Sequence, residues 1–176
     1  MKEKNPKRTT FAKYLASLKV KEGKKISLEK DFHTDYDHKM VTKAEGEKIL
    51  QEGMNNLAIM QDKLYAHNQY SVLIILQAMD AAGKDGIIKH VLSGLNASGV
   101  KVSSFKTPSK EELDHDYLWR HAKALPGRGE VGIFNRSHYE NVLVTRVHPE
   151  YILNENLPDI DSLKDIDHDF WKSRFK

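Results

Sequence analysis

The stretch from Tyr70 to Gly86 constrains this chain more than any other. An apolar, β-branched run, Val72-Leu73-Ile74-Ile75-Leu76, gives way to the small-residue segment Gln77-Ala78-Met79-Asp80-Ala81-Ala82-Gly83-Lys84-Asp85-Gly86, and helical spacing follows at once. A strand, a tight loop and a helix start in that order turn unpaired backbone amides and the positive end of the helix dipole toward the loop. The expectation is an anion cradle built from Ala81, Ala82, Gly83, Lys84, Asp85 and Gly86, with the Lys84 ammonium as a mobile point charge for phosphate oxygens. The match to the phosphate-loop pattern G-x-x-x-x-G-K-[ST] is partial: Ala78 replaces the first glycine and Asp85 the hydroxyl residue. The competing reading is an ordinary strand-to-helix turn in which Gly83 supplies a positive φ. Asp80 argues against it. A carboxylate inside a phosphate loop repels the ligand unless a divalent cation lies between them, and Mg²⁺ held by one or two carboxylates plus phosphate oxygens suits that arrangement.

The rest of the chain supplies a frame for such a loop. Its 176 residues suffice for one domain with a sizeable core. Lysine and arginine number 28 against 25 acidic residues, a net charge of +3 that does not demand a nucleic-acid partner. No cysteine is present, which excludes disulfides and thiolate metal sites and suits a reducing cytoplasm. Val72 to Leu76 is far too short to span a bilayer, and the polar N-terminus lacks a secretion signal. A cytoplasmic protein with neither a membrane nor a nucleic-acid partner is expected.

Residues 1–40 read as a polar N-terminal extension with a weak apolar beat at Phe11, Tyr14, Leu15 and Leu18. His33, Asp35, Asp37 and His38 fit a wet turn better than a metal site, since no second cluster completes a shell. The domain proper is expected over 41–176. Thr42 and Glu45 have capping-box spacing before a long amphipathic helix that runs to about His67. Ile87, Ile88, Val91, Leu92 and Leu95 mark the next helix, with Gly99 as its stop. Val100 to Phe105 alternates as a second strand. Ser109 and Glu112 form another capping box, opening a helix predicted to reach Leu125. Val131 to Phe134 is a third strand, and helices are predicted over Tyr139–Val147 and from Ile160 to Phe175.

Strands alternating with helices predict an α/β fold, a parallel sheet with right-handed crossovers and ligands at the carboxyl ends of the strands. The Gly-Lys loop after the first strand and Asn135-Arg136-Ser137 after the third then share one site. Phosphoryl transfer needs amide donors, a lysine, a metal carboxylate and arginines rather than a covalent nucleophile. Asp80, Lys84 and Arg136 are the candidate catalytic residues. Arg136 and Arg146, just beyond the third strand, could meet phosphate oxygens in bidentate fashion. Arg120 divides evenly between a phosphate contact and a helix C-terminal surface residue. Asn135 stands where a metal-binding Asp is usual, so the negative charge would come from Asp80 helped by Glu140. His138 reads as a satisfied polar contact rather than a base.

With these residues assembled, the chain resembles the family-2 polyphosphate kinases. The likeness rests on four motifs: Gln77 to Gly86, Phe105-Lys106-Thr107-Pro108-Ser109, His115-Asp116-Tyr117-Leu118-Trp119-Arg120, and Gly132-Ile133-Phe134-Asn135-Arg136-Ser137-His138-Tyr139-Glu140. The resemblance implies a P-loop kinase-like parallel sheet with flanking helices, acting as a homo-oligomer that passes phosphate between inorganic polyphosphate and adenine nucleotides with Mg²⁺. It implies that Asp80 is the metal carboxylate, Lys84 the loop lysine and Arg136 a phosphate-binding arginine. Asn135 would then lie near the metal, and Arg120 would neutralise the phosphate chain. The last motif is similar to the branch that accepts both AMP and ADP. Family members continue beyond the point matching Lys176 with a basic helical lid and further strands, so the expectation is a sheet incomplete at its C-terminal end, in a truncated chain whose turnover alone is in doubt. Two other readings stay open: an ATP-dependent nucleotide kinase, and a non-catalytic module that binds polyphosphate or nucleotide.

Overall fold

The computed structural model describes residues 19–31 and 42–175. Residues up to Thr42 and those from Lys43 onward form separate compact units. In the first, the short helix α1 (Leu28–Asp31) is closed by the Ser27 amide donating to Asp31 Oδ2 at 2.8 Å. The apolar beat at Phe11 to Leu18 and the His33–His38 group lie outside the described residues.

The second unit begins with α2 (Lys43–His67), the 25-residue helix that the apolar spacing predicts. Three strands follow: β1 (Val72–Leu76), β2 (Val100–Ser104) and β3 (Val131–Asn135). All pair in parallel in the order β1-β3-β2, so the last strand in sequence is the central one. Val131 sits level with Val72 on one side and Val100 on the other, and Asn135 with Leu76 and Ser104. The central strand is the most buried of the three, with Val131, Gly132, Ile133 and Phe134 all buried. Edge strands tolerate more exposure, as Val72 and Val102 at about half-exposed show. Gly132 is obligatory for packing, because a Cβ there would lie 2.8 Å from Pro126 Cδ. Leu92, Val131 and Ile133 form the core, with Leu57 and Leu64 of α2 and Ile74, Leu76 and Ile88 packed round them. No helix among the described residues is long and apolar enough to cross a membrane.

The helices after the sheet begins are shorter than their apolar spacing predicts. The helix expected to run to Gly99 is α3 (Lys84–His90), succeeded by 3₁₀ turns at Leu92–Gly94 and Ala97–Gly99. The buried Gln61 side chain pins the chain between the two turns: its Nε2 donates to Asn96 O at 2.8 Å and its Oε1 accepts from Asn96 N at 2.7 Å, while Asn96 O also accepts from Gly99 N at 3.1 Å. The helix predicted over 109–125 starts on its capping box, with Glu112 N on Ser109 Oγ at 3.2 Å and Ser109 N on Glu112 Oε2 at 2.7 Å. It then divides into α4 (Lys110–Leu113) and α5 (Trp119–Lys123), because Asp116 Oδ1 accepts from Leu118 N at 2.8 Å and makes a turn. The segment from Tyr139 opens as a 3₁₀ turn and becomes α6 only at Val144–Val147. The helix expected from Ile160 is restricted to α7 (His168–Arg174), capped by Asp167 Oδ1 on the amides of Asp169 and Phe170 at 2.9 Å. Before it, Ser162 and Asp165 bond reciprocally in a separate turn.

Two buried polar features hold the periphery. The Glu155 carboxylate meets Arg174 Nη2 at 2.5 Å, and Asn141 Nδ2 donates to Glu155 Oε1 at 3.1 Å. Arg174 Nη1 donates to Asn141 O at 3.1 Å, and its guanidinium stacks over Tyr117 and Phe170. His121 is buried against Phe105 and Phe134, its Nδ1–H donating to Tyr117 O at 2.9 Å and its Nε2 without a partner. Burial pushes the imidazole down to about 4 from its ordinary 6.5. The folded chain therefore binds a proton less readily than the unfolded one, and stability is full above the unfolded value and declines as pH falls toward the folded value. The expected loss between those limits is about 3 kcal/mol. Urea denaturation at descending pH measures it: His121→Leu, which cannot titrate, should show a flatter profile than the parent, and superimposable profiles would contradict the assignment.

Candidate phosphate-binding site

The site is assembled at the carboxyl ends of the three strands, and the backbone fixes it first. Arg136 N donates to Leu76 O at 3.0 Å and Phe105 N to Asn135 O at 3.0 Å, so the end of β3 ties the ends of both neighbours together. Beyond β1 the loop turns through Ala81 at φ 60° and Gly83 at φ 91°. At Gly83, the residue before α3, open space surrounds the position of a Cβ, so backbone conformation rather than crowding favours glycine. Arg136 adopts φ 67°, a left-handed conformation costing on the order of 1 kcal/mol for a residue with a Cβ. Two of these three positive-φ residues bear side chains, and all border one cleft.

Lys84 is buried and folds back beneath the loop, its Nζ donating to Ala78 O at 2.7 Å and Met79 O at 2.8 Å. Neither acceptor is a carboxylate, so the ammonium charge is solvated but not neutralised, and the loop above it carries positive potential. Across the cleft, Arg136 Nη2 pairs with Asp80 Oδ1 and its Nη1 lies 3.4 Å from Glu140 Oε1. Burial disfavours the Arg136 charge, but the Glu140 and Asp80 carboxylates outweigh it and hold the guanidinium above its ordinary range. The Asp80 side chain is 84% exposed, so its bond to Arg136 is worth about 1 kcal/mol or less and is readily exchanged for another ligand. Asn135 Nδ2 donates to Asp85 Oδ1 at 2.7 Å, whereas Asn135 Oδ1 is buried and unpartnered.

Asp80, Ala81, Ala82, Gly83, Lys84, Asp85 and Gly86 line one side of an open cleft of about 530 Å³, with Ser104, Lys106, Asn135 and Arg136 opposite. Three cationic side chains against two carboxylates make its lining net positive. The structure thus brings the expected loop together with Asn135 and Arg136. Three expected residues stand elsewhere. Arg120 donates from Nη1 to Lys106 O at 2.9 Å, lies 3.5 Å from Glu112 and packs over Phe105. Arg146 stacks on Trp171 and Phe175. Glu140, expected at the metal, commits Oε1 to Gln77 Nε2 at 2.8 Å and to Arg136. Conversely, Ser104 and Lys106 line the cleft without having been expected to hold phosphate. Their position at the carboxyl end of a predicted strand was one signal, and for Lys106 its place in the Phe105–Ser109 motif was another.

Among the described residues no group of three or more His, Cys, Asp and Glu could hold a metal ion by itself. The cleft does offer two oxygen donors for a hard cation, the exposed Asp80 carboxylate and the orphaned Asn135 Oδ1. That set fits Mg²⁺, which takes few protein ligands and completes its shell from water and phosphate.

Comparison with known proteins bears on the same residues. The family described as Polyphosphate kinase 2 matches residues 40–167. An ADP-polyphosphate phosphotransferase of Rhodopseudomonas palustris is 46% identical over 159 residues, 90% of this chain and 54% of the relative. An AMP/ADP-polyphosphate phosphotransferase of Meiothermus ruber is 58% identical over 88 residues, 50% of this chain and 33% of the relative. The chain therefore spans about half of one relative and a third of the other. Among solved structures, polyphosphate kinase 2 from Arthrobacter aurescens TC1 superposes with a TM-score of 0.66 at 39% identity, covering 78% of this chain and 51% of that one.

Proposed function

The chain belongs to the polyphosphate kinase 2 family, and on that premise we propose that its cleft holds inorganic polyphosphate for Mg²⁺-assisted phosphoryl transfer to and from AMP or ADP. The observation that carries this reading is the meeting of Lys84, Asp80 and Arg136 on one net-positive cleft. The names of the relatives supply the substrate class. Phosphoryl transfer asks a protein chiefly for position and charge neutralisation. The amides from Gly83 to Gly86 and the Lys84 ammonium grip non-bridging oxygens on one side of the chain, while the Ala82 amide closes the loop on Met79 O at 3.3 Å. Arg136 turns its planar fork on the other side, having exchanged Asp80 for phosphate. Asp80, so released, and Asn135 would hold Mg²⁺, which when bound offsets phosphate charge. Lys106, with no ion-pair partner among the described residues, extends the positive track along the end of β2. A homo-oligomeric state and residence in the cytoplasm belong to the same reading.

Donor choice tests it. The chain is incubated with Mg²⁺ and ADP, with AMP in parallel, and offered either polyphosphate or ATP as phosphate source. Nucleotide gaining phosphate only when polyphosphate is present is the expected result. Phosphorylation of AMP by ATP with indifference to polyphosphate would replace the reading with that of an ordinary nucleotide kinase.

A further inference from the structure

Gln77 is the last residue before the loop, and the function just described leaves it without a role. Its amide is used at both ends. Nε2 donates to Glu140 Oε1 at 2.8 Å, and Oε1 accepts from Ser137 Oγ at 3.3 Å, a hydroxyl with no exposure to solvent. Ser137 Oγ also accepts from Tyr139 N at 3.3 Å, so the contact is seated in the backbone of the segment after β3. Glu140 Oε1 in turn faces Arg136 Nη1 at 3.4 Å. The residues form a continuous line from the end of β1 to the guanidinium, beside the backbone bond from Arg136 N to Leu76 O.

We infer that Gln77 is a positioning residue, which fixes the Glu140 carboxylate so that Arg136 presents its fork to the cleft. The reason is a difference in exposure. Arg136 has two carboxylate partners, and the one in the cleft, Asp80, is mostly in water and is given up when phosphate or a cation arrives. Glu140 is the partner that stays, with its side chain only 20% exposed. A carboxylate held by the guanidinium alone can rotate with it, whereas one also held by a fixed amide cannot. Only an amide serves at position 77, because the residue must donate to Glu140 and accept from Ser137 simultaneously. A carboxylate there would accept from Ser137 but would face Glu140 with like charge.

The inference rests on the cleft being a polyphosphate site, and the test separates the two. Binding of inorganic tripolyphosphate to the whole chain, in the presence of Mg²⁺, is measured calorimetrically for the parent, Lys84→Ala, Gln77→Met, Gln77→Glu, Arg136→Ala and the double variant Gln77→Met/Arg136→Ala. Thermal melting checks that each is folded, and Gln77→Glu, nearly unchanged in size, serves if Gln77→Met is not. Gln77→Met and Gln77→Glu should each weaken binding about tenfold, while adding Gln77→Met to Arg136→Ala should cost less than about twofold, because a residue that acts through Arg136 has nothing left to position. A Gln77 loss that persists in full without Arg136 would overturn the positioning role, as would parent-like binding by both Gln77 variants. Failure of the parent to bind, or equal binding by Lys84→Ala, would instead overturn the functional reading beneath it.

Discussion

Replacing Lys84 with alanine is expected to reduce polyphosphate-driven nucleotide phosphorylation by about a thousandfold or more, the scale seen when a charge aimed at a transferring phosphoryl group is removed. The structure gives the side chain two tasks. It ties Ala78 O and Met79 O together from beneath, at 2.7 and 2.8 Å, and it is a buried cation without a carboxylate partner in the loop. Removal frees two carbonyls of exposed loop residues that water can satisfy, so the cost in stability should stay within about 1 kcal/mol. Activity should therefore fall far more than the unfolding midpoint moves. Lys84→Arg should not restore it, since the longer, planar guanidinium must fit where a compact ammonium is buried beneath the loop. Initial rates of ATP formation from ADP and polyphosphate, set beside urea denaturation of the same variants, measure both quantities. Near-normal rates in Lys84→Ala would remove this lysine from the reaction.

The largest effect on stability belongs to a residue outside the lining of the cleft. Arg174→Met should destabilise the fold by about 3–5 kcal/mol, because it leaves the Glu155 carboxylate buried and unpaired. The Glu155 and Arg174 side chains are 8% and 5% exposed, and Arg174 also supplies the bond to Asn141 O and the stacking over Tyr117 and Phe170. A loss of that size is a large part of what a domain this small possesses. The penalty comes from the stranded charge rather than from the pair itself. Adding Glu155→Gln to Arg174→Met should therefore recover about half of it, since a neutral amide is cheaper to leave buried than a carboxylate. Denaturation midpoints of the parent, both single variants and the double decide the matter. A cost below about 1 kcal/mol for Arg174→Met would mean that water reaches Glu155 in solution.

What the sequence disclosed and what it withheld divide along local and non-local physics. The strands, α2 and the Ser109–Glu112 box were legible because each depends on neighbours within a turn or a pleat. The short lengths of the later helices were not, and contacts such as that of buried Gln61 with Asn96, 35 residues on, leave no trace in the spacing of Ile87, Ile88, Val91, Leu92 and Leu95. Strand order was equally hidden, because the apolar runs at β1 and β3 are both unbroken and nothing local says which of them is central. In the site, the loop and Asn135-Arg136 were readable because motif and strand end coincide. Arg120 and Arg146 illustrate the limit: an arginine near a site finds partners by reach, and these two found Lys106 O with Glu112, and Trp171 with Phe175. Glu140 was expected beside a metal, and nothing in its spacing indicates that Gln77 and Arg136 meet one of its oxygens.

The account depends on where a phosphate chain settles. Titrating the isotope-labelled chain with inorganic tripolyphosphate and following backbone amide resonances locates it directly. The largest shifts should fall on Ala81 to Gly86, Ser104, Lys106, Asn135 and Arg136, the residues that border the cleft, and should be lost in Lys84→Ala. Shifts confined to the lysines between Lys19 and Lys25, with the loop amides unmoved, would contradict it.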